Sequence, residues 1–349
     1  MRKAIILAAM AWTTTMATAQ NGAKESIAFK HLELGVTLGT TGVGVDVASP
    51  ISSVVKLRTG LEVMPHFERT LHFGIQSFGN DGQAISESRF DRMAEFLEAF
   101  TGYRATSEVD MIAKPTMWNF KFMVDIYPFH NKHWHLTAGF HWGPSKIGEA
   151  LNAQYHTPSL FAVNMYNHMY YLADQDYNHD NMIPLYTLGN GVEAYLDPML
   201  EQKLLETGSM GVHLGDYVGQ YMTKTVVDAE GNETEEFLLD ENGNMIPKPY
   251  RMVPNEQSEV SAKATTNSFK PYVGFGYEGQ LTKKDKSLKI GFDCGLMFWG
   301  GTPNIITHDG TDLAHDVVNI GGQVGDYVEF VKDFKVFPVV NLRICKTLF

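Results

Sequence analysis

Apolar and polar residues alternate strictly near the C-terminus of this chain. Leu288, Ile290, Phe292, Cys294, Leu296 and Phe298 fall on one side of a pleated strand, and Lys289, Gly291, Asp293, Gly295 and Met297 fall on the other. Three further runs repeat the rule. Trp118, Phe120, Phe122, Val124 and Ile126 alternate with Asn119, Lys121, Met123, Asp125 and Tyr127. Trp134, Leu136, Ala138, Phe140 and Trp142 alternate with His133, His135, Thr137 and His141. Val55, Leu57, Thr59, Leu61 and Val63 alternate with Lys56, Arg58, Gly60, Glu62 and Met64. A strand of about ten residues with one wholly apolar face suits a wall between hydrocarbon and a polar interior.

Extending the rule predicts eight strands, at 31–38, 42–49, 54–65, 116–128, 133–143, 268–279, 288–299 and 336–348. Their connections alternate in length. SPISS, FHNK and QLTKKDKS are short turns, whereas 66–115, 144–267 and 300–335 are long. Membrane barrels have short periplasmic turns and long extracellular loops, so the long segments are expected to form an external cap. Within them, SESRFDRMAEFLEAFTGY places Phe90, Met93, Phe96, Leu97 and Phe100 on one helical face. SLFAVNMYNHMYYLADQ, GVEAYLDPMLEQKLLETG (interrupted or started by Pro198) and GDYVEFVKDF read as further helices, and TKTVVDAEGNETEEFLLDENGNMIPKPY as a small β meander. The fold class expected is thus an all-β transmembrane antiparallel barrel of about eight strands, with large extracellular loops containing helices and a small β meander.

Charge and the N-terminus narrow the setting. A net charge of -12 excludes nucleic-acid binding through a basic surface. Arg2 and Lys3, an apolar stretch from Ala4 to Trp12, and Ala17-Thr18-Ala19 before Gln20 read as a secretory signal. The expected division is a signal peptide over 1–19 and an outer-membrane barrel over 20–349, with strands near 31–65, 116–143, 268–299 and 336–348. On strand parity Cys294 faces outward and Cys345 inward, so the two are not expected to pair.

Several segments carry a resemblance: the signal peptide, the opening hairpin LGVTLGTTGVGVDV, VDIYPF followed by HLTAGFHWGP, the strand end FWGGTP, and the closing VFPVVNLRICKTLF. Together they resemble the small eight-stranded outer-membrane barrel family of Gram-negative bacteria. The resemblance is architectural and covers the barrel strands, not the insertions. It implies a location in the cell outer membrane, with outer-membrane lipid as surroundings. The chain departs from the pattern at its end, where Val340, Leu342 and Ile344 keep the outward phase and Phe349 falls one residue off it.

The inward positions collect Glu33, Asp46, Glu62, Asp125, Glu278 and Asp293 against Lys56, Arg58, Lys121, Lys270, Lys289 and Arg343. An eight-stranded barrel has an interior that side chains fill, so these charges are expected to pair and plug the lumen. His133, His135 and His141 share that face, with His130 in the adjoining turn. His133 and His135 have the spacing of a strand-borne metal chelate, but no Cys or carboxylate nearby in sequence completes a ligand set, and they are expected to join the polar core. Asp174, Asp176, Asn178 and Asp180 resemble the start of a calcium loop, but His179 replaces its Gly and Leu185 its bidentate Glu. A solvated acidic turn after a helix is the expected reading.

No catalytic residue, cofactor or metal is assigned. Outward faces are apolar, which argues against a lipid-hydrolysing pair on the wall, and His308, Asp309, His315 and Asp316 are polar loop residues that could activate water only if paired. The reading is a non-enzymatic barrel with a plugged, charge-balanced lumen, whose cap binds a ligand or another envelope protein as accessory subunit. The alternatives are a small channel for hydrophobic compounds and a lipid-modifying barrel enzyme.

Overall fold

The computed structural model describes residues 29–348 except 75, 78–90, 92–93, 96, 100–101, 180–183 and 228–232. The signal segment lies outside these residues, as do Phe90, Met93, Phe96 and Phe100 of the first expected helix. Its remaining member, Leu97, is fully buried in the cap.

Along the chain the strands β1 (Glu33–Gly39), β2 (Gly42–Pro50), β3 (Val55–Val63) and β4 (Arg69–Gly74) precede β5 (Glu108–Pro115), β6 (Trp118–Ile126), β7 (Trp134–Trp142) and β8 (Lys146–Asn152). Helices α1 (Thr157–His179) and α2 (Pro198–Thr207) follow. Then come β9 (Met210–Tyr221), β10 (Thr223–Val227), β11 (Glu233–Phe237), β12 (Pro247–Met252), β13 (Ser261–Thr265), β14 (Phe269–Gln280), β15 (Leu288–Phe298) and β16 (Asn304–Thr307). Helix α3 (Gly322–Asp333) and β17 (Val336–Thr347) end the chain.

Eight strands, β1-β2-β3-β6-β7-β14-β15-β17, close into an antiparallel barrel, and they are the eight that alternation predicts. The first pairs with the last, Val36 opposite Ile344, so no edge is left unpaired. The polarity of the barrel is inside-out. Leu38, Val45, Leu61, Leu136, Phe275 and Leu342 are exposed on the outer face, while Asp46, Lys56, Arg58, Glu62 and Lys121 are buried inside. A nine-residue strand such as β6 is about 30 Å long. Tilted by about 40°, it spans roughly 23 Å, close to the ~25 Å apolar band of membrane barrels. Aromatic rings ring both ends: Trp118 meets Trp142 edge-on at 6.5 Å at one, and Trp134 contacts Tyr277 and Phe292 at 5.2 and 5.9 Å at the other. These features make the molecule an all-β transmembrane barrel. No helix among the described residues is long and apolar enough to cross a membrane.

The sequence pattern does not predict what happens above the rim. Five of the eight wall strands continue into a second sheet, β4-β5-β8-β13-β16, whose order repeats that of β3-β6-β7-β14-β15 beneath it. The other three stop at the rim, where β1 and β2 join through Thr40 and Thr41. There Gly42 has φ +108, and a Cβ on it would sit 2.2 Å from the carbonyl oxygen of Val63.

On the inner side of this cap sheet lies a globular core. Helix α1 presents Leu160, Val163, Tyr166, Met169 and Ala173 to it at helical spacing. The Asn167 side chain fastens the helix to β9, its amide donating to the Met210 carbonyl and its oxygen accepting from the Met210 amide, each at 2.8 Å. Helix α2 starts at Pro198, and Asp197 caps it by accepting from Met199 and Leu200 amides at 2.9 and 3.3 Å. The expected meander is realised as the hairpin β10-β11 followed by a turn in which Asp240 accepts from the amides of Asn242 and Asn244. The first of its two turns, Asp228 to Asn232, falls outside the described residues.

Strand contact at Gly139 offers a test of closure. A Cβ there would lie 2.1 Å from the Phe122 carbonyl oxygen and 2.7 Å from Met123 Sδ. Gly139→Val should destabilise the barrel by at least about 1–3 kcal/mol, the usual cost of overpacking, because a backbone atom cannot move aside. Ala138→Val, on the outer face, should fold normally. Heat-dependent electrophoretic mobility of the refolded variants distinguishes the two.

Candidate functional site

The lumen and the cap differ in what they can bind. In the lumen, Lys56 Nζ donates to Glu33 at 2.7 Å and to Glu278 at 2.8 Å. Arg58 forks between Asp125 and Asp293, each reached at 3.0 Å by Nη2. Lys121 pairs with Glu62 at 2.6 Å and Asp46 at 3.3 Å, and Arg343 with Asp46 and Glu278 at 2.8 and 3.0 Å. Lys289 joins Glu33 and Glu278 near one mouth. Lys270 is the exception: fully buried, it makes no ion pair with a described residue, and its Nζ reaches Asn119 Oδ1 at 3.4 Å. Among these charges Met123, Tyr272, Met297 and Val339 form a buried apolar cluster, with Trp299 stacked on Phe337 at 5.1 Å.

The histidines go separate ways. His135 Nε2 lies 3.0 Å from Asp293 Oδ1, and His141 packs edge-on against Tyr272 with Glu62 3.6 Å away. His133 does not point into the lumen as parity suggests. It precedes the first residue of β7 and is exposed at the mouth, its Nδ1 2.8 Å from the Glu278 carbonyl. The pairing with His135 needed for a chelate is therefore not formed.

Glu33, Glu278 and Cys345 bring potential ligand atoms within 4.8 Å of one another. Both carboxylates are already held by Lys56, Lys289 and Arg343, so a cation there would face three positive charges. Cys294 and Cys345 are both free thiols.

The acidic run of the largest insertion departs from expectation. Residues 174–179, including Asp174, Asp176 and Asn178, are the last turns of α1 rather than a turn after it, and Asp180 lies outside the described residues. A continuous helix cannot wrap oxygen ligands around an ion as a calcium loop does.

His308, Asp309, His315 and Asp316 do not form acid–histidine pairs with one another. His308 accepts from the Ser261 amide at 3.3 Å and lies 2.8 Å from the Val253 carbonyl, while His315 sits 2.8 Å from Asp312. Asp309 accepts from Thr307 Oγ1 at 2.5 Å and from the Tyr250 hydroxyl at 3.0 Å, and Asp316 accepts from the Asp312 amide. These contacts close a turn after β16. Burial pushes the Asp309 carboxyl up, but the hydrogen bonds from Thr307 and Tyr250 outweigh it and hold it below the ordinary value.

A polar space of about 340 Å³ opens at the barrel mouth beside Glu33, Lys56, Tyr127, Glu278 and Lys289, and an apolar cleft of about 430 Å³ lies between the inner face of the cap sheet and α3, within the range of small-molecule sites. Its floor is small because of the sequence: Ala113, Ala150, Ala262, Ala264 and Gly148 stand on adjacent strands. Leu71, Phe73, Met111, Ile305 and Leu313 flank them, and Val324, Val328 and Val331 face them from α3. At the free edge of β4, Arg69, Thr70, His72, Gln323, Asp326 and Tyr327 border an opening of about 450 Å³. An abundance of Met, Phe and Tyr in the insertions hints at an apolar lining, but alanine and glycine make this floor. The signal available in the sequence is the alternation Val109, Met111, Ala113, Pro115 in β5 and Ala262, Ala264 in β13.

No protein-family model matches the chain, and no curated protein matches it. Among solved structures, CarO2 of Acinetobacter baumannii aligns at 12% identity and a TM-score of 0.36, over 93% of this chain and all of that one. CarO of the same organism aligns at 12% identity and 0.33, over 92% and 97%. Likeness at this level carries no inference, so fold and function rest on the geometry above.

Two outcomes are expected. Arg58→Ala leaves Asp125 and Asp293 buried without their shared cation and should cost about 3–5 kcal/mol, read as a lower urea midpoint of the folded barrel in lipid vesicles. Asp309, held low, contributes stability at neutral pH that is lost as pH falls through its depressed value. The thermal midpoint, followed by near-ultraviolet circular dichroism, should therefore drop as pH falls below about 4, with a shallower drop in Asp309→Asn.

Proposed function

We propose that this chain is a non-enzymatic outer-membrane barrel whose lumen is plugged by its own ion pairs and whose cap receives a small apolar molecule. The observation that carries this reading is the position of the cleft. It lies on the same face of the continuing strands as the lumen, at the level of the cap sheet beyond the rim. A paired, filled interior favours a receptor or docking role over passage through the barrel. The apolar outer belt supports placement in the outer membrane, with lipid as the surrounding solvent and the long insertions outside.

The test has two readouts. The protein should fractionate with the outer membrane and show heat-dependent mobility. Held in amphipol, it should bind N-phenyl-1-naphthylamine, a neutral apolar dye, with Ala262→Phe abolishing the fluorescence gain and leaving the mobility shift intact. Recovery in the soluble fraction refutes the membrane reading, and dye binding unchanged in Ala262→Phe refutes the cleft.

A further inference from the structure

We infer that the cleft is shaped for a single-chain anionic amphiphile, a long-chain fatty acid, whose acyl chain lies across the alanine floor with its carboxylate at Arg69. The inference rests on the proposed apolar-binding role and gives it a ligand class.

The register supplies the first argument. Arg69 stands opposite Ala113, Ala113 opposite Ala150, Ala150 opposite Ala262, and Ala262 opposite Thr307. One straight row thus crosses all five strands, from a cation at the free edge, over three methyl side chains, to a hydroxyl at the far side. With strands about 4.8 Å apart, the row is about 19 Å long. Beside it runs a second row, Pro115, Gly148, Ala264 and Ile305. A trough that is long, narrow and floored by small side chains fits an extended chain better than a compact ring system.

Charge supplies the second. Arg69 is exposed at the open end of the trough and makes no side-chain hydrogen bond or ion pair with a described residue. Of the other charged groups at that opening, His72 is engaged by Asp110, and Asp326 of α3 stands across the gap without pairing to Arg69. A guanidinium at the end of an apolar trough matches a carboxylate, which it binds through two parallel hydrogen bonds.

The lie of the wall supplies the third. Among the described residues β4 is the free edge of the cap sheet, because β2, the neighbour of β3 below, ends at the rim. Exposed Phe67, in the segment joining β3 to β4, belongs to the cleft lining. The trough is therefore open sideways, just above the apolar belt, where amphiphiles in the outer leaflet present their headgroups.

The experiment is displacement of a fluorescent fatty acid from the full-length protein in amphipol by laurate, myristate, palmitate and hexadecanol. Affinity should rise about fourfold per added methylene, and palmitate should bind about tenfold more tightly than its alcohol. Arg69→Gln should erase the preference for the acid, Arg69→Lys should retain part of it, and Ala262→Phe should abolish binding of both. Equal binding of palmitate and hexadecanol to the unaltered protein, or an acid preference that survives Arg69→Gln, overturns the inference while leaving a neutral apolar site intact. Failure of the neutral dye as well removes the underlying reading. Should Ala262→Phe lose heat-dependent mobility, the exposed Arg69 variants decide the matter alone.

Discussion

A closed strand wall between two solvents governs this structure. Every backbone group in the hydrocarbon must be paired within the wall, and the β1–β17 ladder achieves this by closing the sheet. Closure at eight strands leaves an interior that side chains must fill. Because the outer face is taken by apolar residues, the alternate positions fall inside, and there the chain places acids and bases in reach of one another. Lys56, Arg58, Lys121 and Arg343 each bridge at least two carboxylates from different strands. These bridges tie opposite sides of the wall together across the lumen.

The cap grows from the same strands with the same parity and the reverse polarity. From Val109 to Met117 the inward residues of β5 and its link to β6 are apolar, and Glu108, Asp110 and Lys114 face out. From Trp118 onward the outward residues are apolar, and Asn119, Lys121 and Asp125 face in. No side chain changes face; the surroundings change from water to hydrocarbon at the rim. Above it the sheet is an ordinary half-buried one, able to pack α1, α3 and β9 against its inner face. Lumen and cleft are thus successive levels of one surface.

This reversal explains what the sequence displayed and what it concealed. In the barrel, period-two alternation is strong and both faces are chemically extreme, so all eight strands can be placed to within a few residues. Across Met117 and Trp118 the apolar phase slips by one, which reads as the end of a strand although the backbone continues after a short break. The cap strands were hidden for a second reason. Ala113, Ala150, Ala262 and Ala264 have low strand propensity and little hydrophobic signal, so KIGEALN and SAKAT look like loops. The ion pairs were legible as a balanced set of charges, but partners such as Arg58 with Asp293 are separated by 235 residues, and only closure of the barrel selects them. His133 was misplaced because one residue of strand length decides whether a side chain is inside or at the mouth.

The weak features of the cap sequence are those that give it a cavity. Larger residues on the floor would fill the space against α3, adding apolar burial at roughly 25 cal/mol per Å². The chain forgoes that stabilisation in the same row of three strands, and next to the one edge where the wall stops short. Cap stability is supplied elsewhere, by the Tyr166, Met169 and Met210 core and by the Asn167 clasp. Separating the elements that stabilise the cap from those that line the cleft lets the floor remain small without loosening the fold, and the crosslinked barrel below holds the five strands that form it in fixed register.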